Sequence, residues 1–210
     1  MLKYPSPVSI KDKDYSPKLN QDYYIEEKID GSQLSVGFID DVITFQCRGK
    51  DISSEQKCFS KSVVMLKYNQ DKLNKNYIYY GESLTSNKHN IITYSRMPLF
   101  NFMIYDIYDR VNGTFLWYTD IHEECKRIGY EHVPFIMAGN GPYISKVKDM
   151  VENMTSFLGG VCEGVVVKFR VRDQQHGCYK HVIVPGDYIM NLGLCFAKAL
   201  QHLNESGEEN

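Results

Sequence analysis

Residues 23–32 read YYIEEKIDGS, Tyr23 to Ser32. The aromatic and β-branched start predicts a strand, and Asp30-Gly31 predicts the turn that ends it. Lys28 is therefore expected at a strand end, where two readings divide: a solvated lysine beside an ordinary turn, or a nucleophile. A lysine attacks phosphorus or carbon only when unprotonated, and from a reference pKa of about 10.4 that takes burial or neighbouring cations. Gly31 would let a ligand approach the backbone closely. The stretch alone does not choose between the two.

The flanking pattern places Lys28 just before a hairpin, because apolar residues alternate through Leu34, Val36 and Phe38, then Ile43, Phe45 and Cys47 after Asp40-Asp41. Ser53 and Gln56 are spaced as a capping box before an amphipathic helix bearing Phe59, Val63 and Leu66. Strands are predicted over 77–80 and 102–108. A second helix follows, with Asp120 and Glu123 as cap, Ile121, Cys125 and Ile128 on one face, and Gly129 as stop. A third is predicted from about Ser145, with Val147, Val151 and Met154 inward, to Gly159-Gly160. Gly164-Val165-Val166-Val167 reads as a buried strand, and Leu192, Cys195, Phe196, Ala199, Leu200 and Leu203 form the clearest helical stripe. Hairpins mixed with helices point to an α+β fold. The expected organisation is one domain over 1–210: an extended leader over 1–20, a terminal helix over 190–204 and an acidic tail over 205–210, with no separate C-terminal nucleic-acid-binding domain.

Of the 210 residues 43% are hydrophobic and 24% charged, the balance of a folded, soluble chain. The net charge is −2, and discounting the three tail glutamates 205, 208 and 209 moves it only to +1. Nucleic acid would then be met by a local basic patch rather than by the whole surface. Six cysteines (47, 58, 125, 162, 178, 195) form no C-x-x-C pair, which suggests reduced thiols rather than a zinc site or disulfide framework. Neither a signal peptide nor an apolar run of about 18 residues is seen, so an intracellular, cytoplasmic location is expected and no membrane partner.

Further stretches put charged groups at predicted strand ends: CRGK (47–50), YYGES (79–83) and CEGVVVKF (162–169), with the aromatic strand FMIYDIYD (102–109) between the last two. In this order and spacing they resemble the motifs of the covalent nucleotidyltransferase superfamily of DNA and RNA ligases and capping enzymes. EKIDGS is similar to the nucleotidyl-lysine motif, YYGES to the ribose-binding Gly-Glu motif, MIYDIYD to the base-stacking strand and EGVVVKF to the metal-associated Glu-Gly motif. Tyr179-Lys180 and the segment GESLTSNKHNIITYSRMPLFNFMIYDIYDR resemble the ATP-dependent RNA ligase branch. The resemblance spans about residues 23 to 185.

That resemblance implies a ligase-type nucleotidyltransferase domain, with antiparallel sheets and flanking helices around an ATP cleft. Lys28 would attack the α-phosphorus of ATP, expel pyrophosphate and hold AMP as a phosphoramidate. AMP would pass to a nucleic-acid 5′-phosphate, and a 3′-OH would then seal the strand. Glu27, Asp30 and Gly31 would belong to the nucleotide site. Arg48 would lie near the ribose and phosphates, Glu82 would accept from a ribose hydroxyl, and Tyr105 would stack on adenine. Glu163, with Asp30, would work with Mg²⁺ or Mn²⁺. Lys168 and Lys180 would neutralise phosphate charge, and Lys88 and His89 would meet a substrate phosphate. The partner is nucleic acid with 5′-phosphate and 3′-OH ends, RNA ahead of DNA, with a partner protein supplying further grip. Two alternatives stay open: a minimal ATP-dependent DNA ligase, and a non-catalytic nucleic-acid-binding protein of the same fold. Lys28→Ala is expected to abolish adenylation and leave the fold nearly unchanged.

Overall fold

The structure is a computed structural model that describes residues 1–5, 8–9, 22–52, 56–140, 154–169 and 180–185, with 8–9, 169 and 180–185 as backbone. In chain order the strands are β1 (Val8–Ser9), β2 (Asp22–Lys28), β3 (Ser32–Ile39), β4 (Val42–Cys47), β5 (Lys50–Asp51), β6 (Tyr77–Ser83), β7 (Phe102–Asp109), β8 (Thr114–Phe115), β9 (Glu131–His132), β10 (Phe135–Asn140), β11 (Gly164–Phe169) and β12 (Lys180–Pro185). Two helices, α1 (Ser60–Tyr68) and α2 (Tyr118–Ile128), lie among them. The strands form two sheets, one ordered β1-β12-β11-β2-β10 and the other β5-β4-β3-β6-β7-β8 with β9 beside β7. Pairing is antiparallel except between β1 and β12 and between β7 and β9. The α+β expectation is met.

The predicted hairpin is β3 and β4, paired from Ile39↔Val42 to Ser35↔Gln46. Asp40 and Asp41 turn it with φ of 47° and 61°, the left-handed pair that suits strand twist. Both helices cover one face of the larger sheet. Phe59, Val63 and Leu66 from the α1 region and Ile121, Cys125 and Ile128 from α2 share a core with Leu34, Val36, Phe102, Ile104 and Ile107. Gly129, at φ 75°, ends α2 as expected.

The helix starts differ from expectation. α1 begins after Phe59 and α2 after Trp117, neither with a side-chain cap bond. Burial of Phe59 sets the first start rather than the Ser53–Gln56 spacing; Ser53 lies outside the described residues. Asp120 falls in the first turn of α2, where a carboxylate still meets the positive helix end. The third helix does not reach Gly159-Gly160. Residues 154–162 instead make a tight turn closed by a Thr155–Val161 bridge, with both glycines at positive φ, 79° and 90°. Residues 145–153 and the terminal helix over 190–204 lie outside the described residues. Among the described residues no helix is long and apolar enough to cross a membrane.

Two features position the site. β2 runs against β11 with Lys28 opposite Gly164 and Glu26 opposite Val166. On the larger sheet the register of β6 against β7 jumps, so Tyr80 pairs Asp106 while Gly81 pairs Ile104. Tyr105 is the unmatched residue of that β-bulge. A bulge re-aims its side chain and shifts the in–out alternation between the residues on its two sides, which is why Phe102, Ile104 and Ile107 all face the helices.

Candidate active site

A cleft of about 350 Å³ opens where the two sheets meet. The end of β2 supplies Glu26 to Lys28, β3 supplies Gln33, β6 Glu82, the β7 bulge Tyr105 and the β4–β5 turn Arg48. Ile29, Val133 and Val166 give it apolar walls, and Lys3, Tyr4 and Pro5 line one side. Its volume and its mixture of apolar walls with charged groups of both signs suit a nucleotide-sized ligand.

Lys28 Nζ lies 2.5 Å from Glu163 Oε1, with side chains 28% and 14% exposed. Glu163 Oε2 is buried without a hydrogen-bond partner among the described residues. Burial raises the Glu163 carboxyl above its ordinary range against the pull of Lys28. Burial also raises Glu82, to about 8, with Lys28 and Arg48 opposing and Glu163 and Asp30 adding to it. Glu27 is 2% exposed. Its Oε2 accepts from the Phe157 N–H at 2.9 Å, its Oε1 has no partner among the described residues, and burial raises its carboxyl too. Burial thus works against the charged form of three carboxyl groups at or beside the cleft.

That arrangement fits a divalent cation. Added positive charge would stabilise Glu82 and Glu163 ionised, and Glu163 Oε2 offers an open acceptor. Among the described residues no three His, Cys, Asp or Glu side chains converge closely enough to hold a metal by themselves. An ion would take one or two carboxylates and complete its shell with water and substrate phosphate, as Mg²⁺ and Mn²⁺ commonly do.

Other predicted residues make contacts within the framework around the cleft. The Asp30 carboxylate accepts from Asn90 Nδ2 at 3.0 Å and from the Ile91 and Ile92 N–H groups at 2.7 Å each. The Asp30 N–H donates to Tyr94 Oη at 2.7 Å. Asp30 so clamps the turn after Lys28 onto the 90–94 segment. A Cβ at Gly31 would stand 2.9 Å from Glu82 Cβ, so the neighbouring strand leaves no room for a side chain there.

Lys168 is 1% exposed and pairs with Glu26 Oε1 at 2.5 Å and Asp106 Oδ2 at 2.9 Å. It also donates to the Tyr105 carbonyl at 2.5 Å. Burial raises Glu26, against Lys168, to about 8. Lys168 is thereby a bridge from the smaller sheet to β7, below the cleft. Tyr4 Oη donates to the same Asp106 at 2.6 Å.

His89 Nδ1 accepts from the Thr85 N–H at 3.2 Å, which leaves Nε2 as donor to Ser32 Oγ at 2.8 Å. Lys88 is exposed, and neither residue lines the cleft. Lys180 lies on β12 opposite Phe169, with its side chain outside the described residues. Arg48, exposed at the cleft edge, sits at φ 51°, uncommon for a residue with a side chain. Gln33 carried no signal in the sequence: its Nε2 donates to Tyr105 Oη at 3.0 Å and holds the ring.

A family model described as RNA ligase matches residues 21–182. The chain belongs to the RNA ligase family. No curated protein matches it by sequence. Among solved structures it is similar to an RNA ligase of Naegleria gruberi, a mutant with ATP and manganese, at TM-score 0.63 and 17% identity over 82% of this chain and 52% of that one. A second mutant of the same Naegleria gruberi ligase, with AMP and manganese, matches at TM-score 0.60 and 18% identity over 81% and 51%. A structure of that ligase with pyrophosphate gives TM-score 0.60 at 18% identity over the same shares, 81% and 51%. The chain spans about half the length of these solved ligases, and at such identities the likeness is one of fold.

Proposed function

We propose that this RNA ligase family member adenylates itself on Lys28 with ATP and passes the AMP to a 5′-phosphorylated RNA end for sealing by a 3′-OH. The observation that carries the reading is Lys28 at the end of β2, ion-paired with Glu163 at the mouth of a nucleotide-sized cleft that also holds Arg48 and Glu82. The Lys28 amine forms a bond to the α-phosphorus as the bond to pyrophosphate breaks, and its proton is lost. Glu163, 2.5 Å away with a raised pKa, stands where that proton leaves. Arg48 steadies phosphate charge with a planar fork, Glu82 accepts from the ribose, and Tyr105, fixed by Gln33, flanks the base. A Mg²⁺ or Mn²⁺ ion held by Glu163 would supply further charge neutralisation on the phosphates, the main contribution in phosphoryl transfer. Asp30 and Lys168 act through structure, one setting the Lys28 turn and the other tying the sheets together. The grip on RNA comes from elsewhere in the protein or from a partner.

The test is incubation with Mg²⁺ or Mn²⁺ and ATP labelled at the α-phosphate, followed by denaturing separation and a chase with 5′-phosphorylated RNA or nicked duplex DNA. Label on wild type, absent from Lys28→Ala and discharged by RNA, is expected. Folded protein free of bound AMP that takes no label with either metal would remove the enzyme reading. Discharge by nicked DNA alone would make it a DNA ligase.

A further inference from the structure

Tyr105 is not confined by close packing on both sides. It lines the nucleotide cleft and also a second cavity, of about 280 Å³, that shares Glu26 and Val133 with the cleft and reaches Tyr118 and Phe135 beyond. A side chain that borders open space on two sides keeps one orientation only where particular contacts lock it. Gln33 Nε2 holds its hydroxyl at 3.0 Å, and Lys168 Nζ stands 5.7 Å from its ring centroid. Tyr4 supplies a third hold, from the side.

Residues 1–5, expected as the start of an extended leader, pack on the face of the larger sheet away from the helices. The Leu2 carbonyl accepts from Tyr80 Oη at 2.8 Å, and Lys3 lies against the β4–β5 turn, where a Cβ on Gly49 would stand 3.0 Å from Lys3 Cγ. Tyr4 is 8% exposed and joins a core with Ile78, Tyr80 and Phe115. Its ring meets Tyr105 edge-on, with centroids 4.9 Å apart and planes at 70°, a preferred aromatic geometry. Its hydroxyl donates to Asp106 Oδ2 at 2.6 Å, the oxygen that also takes Lys168 at 2.9 Å. Burial, with the Asp106 charge beside it, holds that hydroxyl well above its usual pKa, so it remains a donor. Tyr4 therefore grips both the ring of Tyr105 and the residue that follows it on β7.

We propose that Tyr4 is a positioning residue of the nucleotide site: acting through Tyr105, it sets the wall against which the base lies and so governs affinity for the nucleotide. The proposal rests on the adenylation reading above for where the base sits. With a small side chain at position 4, Tyr105 is released toward the second cavity and the base loses its flanking ring. ATP is then held by its ribose and phosphates, whose partners Lys28, Arg48 and Glu82 stand apart from Tyr4's contacts with Tyr105 and Asp106. The loss falls on binding rather than on the chemical step, because no reacting atom meets Tyr4.

Calorimetry with Mn²⁺ tests it on Lys28→Ala and on that protein carrying Tyr4→Ala or Tyr4→Phe, with ATP and inorganic triphosphate titrated in parallel. Tyr4→Ala should weaken ATP by ~5-fold or more, the scale of a lost aromatic contact on a base, and leave triphosphate affinity unchanged. Tyr4→Phe keeps the ring contact and loses only the Asp106 bond, so it should stay close to its parent. With Lys28 in place, Tyr4→Ala should raise the KM for ATP in label transfer and leave the rate at saturating ATP near wild type. Equal weakening of ATP and triphosphate would mean that Tyr4 only holds the fold and would overturn the proposal, as would an unchanged ATP affinity in Tyr4→Ala. Should Tyr4→Ala fail to fold, Tyr4→Leu keeps the position apolar without a ring and is read in the same way. Absence of ATP binding by Lys28→Ala itself would remove the nucleotide site and the adenylation reading, whereas binding that ignores position 4 removes this inference alone.

Discussion

Three charged residues near the cleft differ in what their removal should do. Lys28 is 28% exposed and leaves Glu163 unpartnered when deleted, so Lys28→Ala should lose all label transfer and also cost about 1–3 kcal/mol in urea unfolding. The sequence alone had suggested almost no cost, because the partner across β11 is not visible in it. Lys168→Met should cost more, roughly 3–5 kcal/mol, since two buried carboxylates lose their cation. Adding Glu26→Gln should restore part of that. A Lys168→Met protein as stable as wild type yet unable to transfer label would return Lys168 to the phosphates. Glu82 provides a pH signature. Its carboxyl holds a proton up to about 8 in the folded chain, against an ordinary value of 4.5. The folded state therefore binds more protons than the unfolded state between those values, and the contribution present below 4.5 is lost as pH rises through 8. Glu82→Gln should flatten the fall in unfolding free energy between about pH 5 and 8. Parallel slopes in the two proteins would show that Glu82 is ionised throughout.

Elements were legible where the local pattern and tertiary packing agree. The β3–β4 hairpin, both helix faces, the Gly129 stop and the buried β11 follow from apolar spacing that the sheets then use. Helix starts were not, because burial of Phe59 outweighs the capping box. The helix expected to reach Gly159-Gly160 failed because Glu27 and Ser95 recruit the 156–160 backbone into a turn, a contact between distant segments. The bulge at Tyr105 was hidden as well, since one extra residue in β7 is defined only by its partner β6. Motif order located the cleft residues Lys28, Arg48, Glu82 and Tyr105, but it gave no sign of the contacts that Asp30, Gly31 and Lys168 make with neighbouring elements. Gly31→Ala tests one of these contacts. A methyl there meets Glu82 Cβ at 2.9 Å and the Ser83 carbonyl oxygen at 3.0 Å, so the turn between β2 and β3 must move away from β6. A cost of roughly 1–3 kcal/mol is expected from the overpacking. Adenylation should fall with it, because Glu82 is displaced. Unchanged stability with reduced nucleotide affinity would instead mean that Gly31 meets the ligand.

At the scale of the whole molecule the cleft is a seam between two sheets, joined beneath by Lys168 and closed along one side by residues 3–5. A ligand there touches β2 and β11 on one side and β3, β6 and β7 on the other, and the unfolded chain has no such surface. Binding should therefore stabilise the fold whether or not any covalent step occurs. Lys28→Ala is the protein to use, because without the nucleophile only binding is read. At about 100 times the dissociation constant, linkage gives about 2.7 kcal/mol. For a domain of this size each kcal/mol moves the melting temperature by roughly 2–4 °C. ATP with Mn²⁺ should thus raise the melting temperature of Lys28→Ala by roughly 5–10 °C, and Arg48→Ala in the same background should lose much of the gain. GTP in place of ATP should raise it less if Tyr105 and the apolar walls are fitted to adenine. A Lys28→Ala protein that melts at the same temperature with and without saturating ATP and metal would mean that the seam is not a nucleotide site, and the adenylation reading would fall with it.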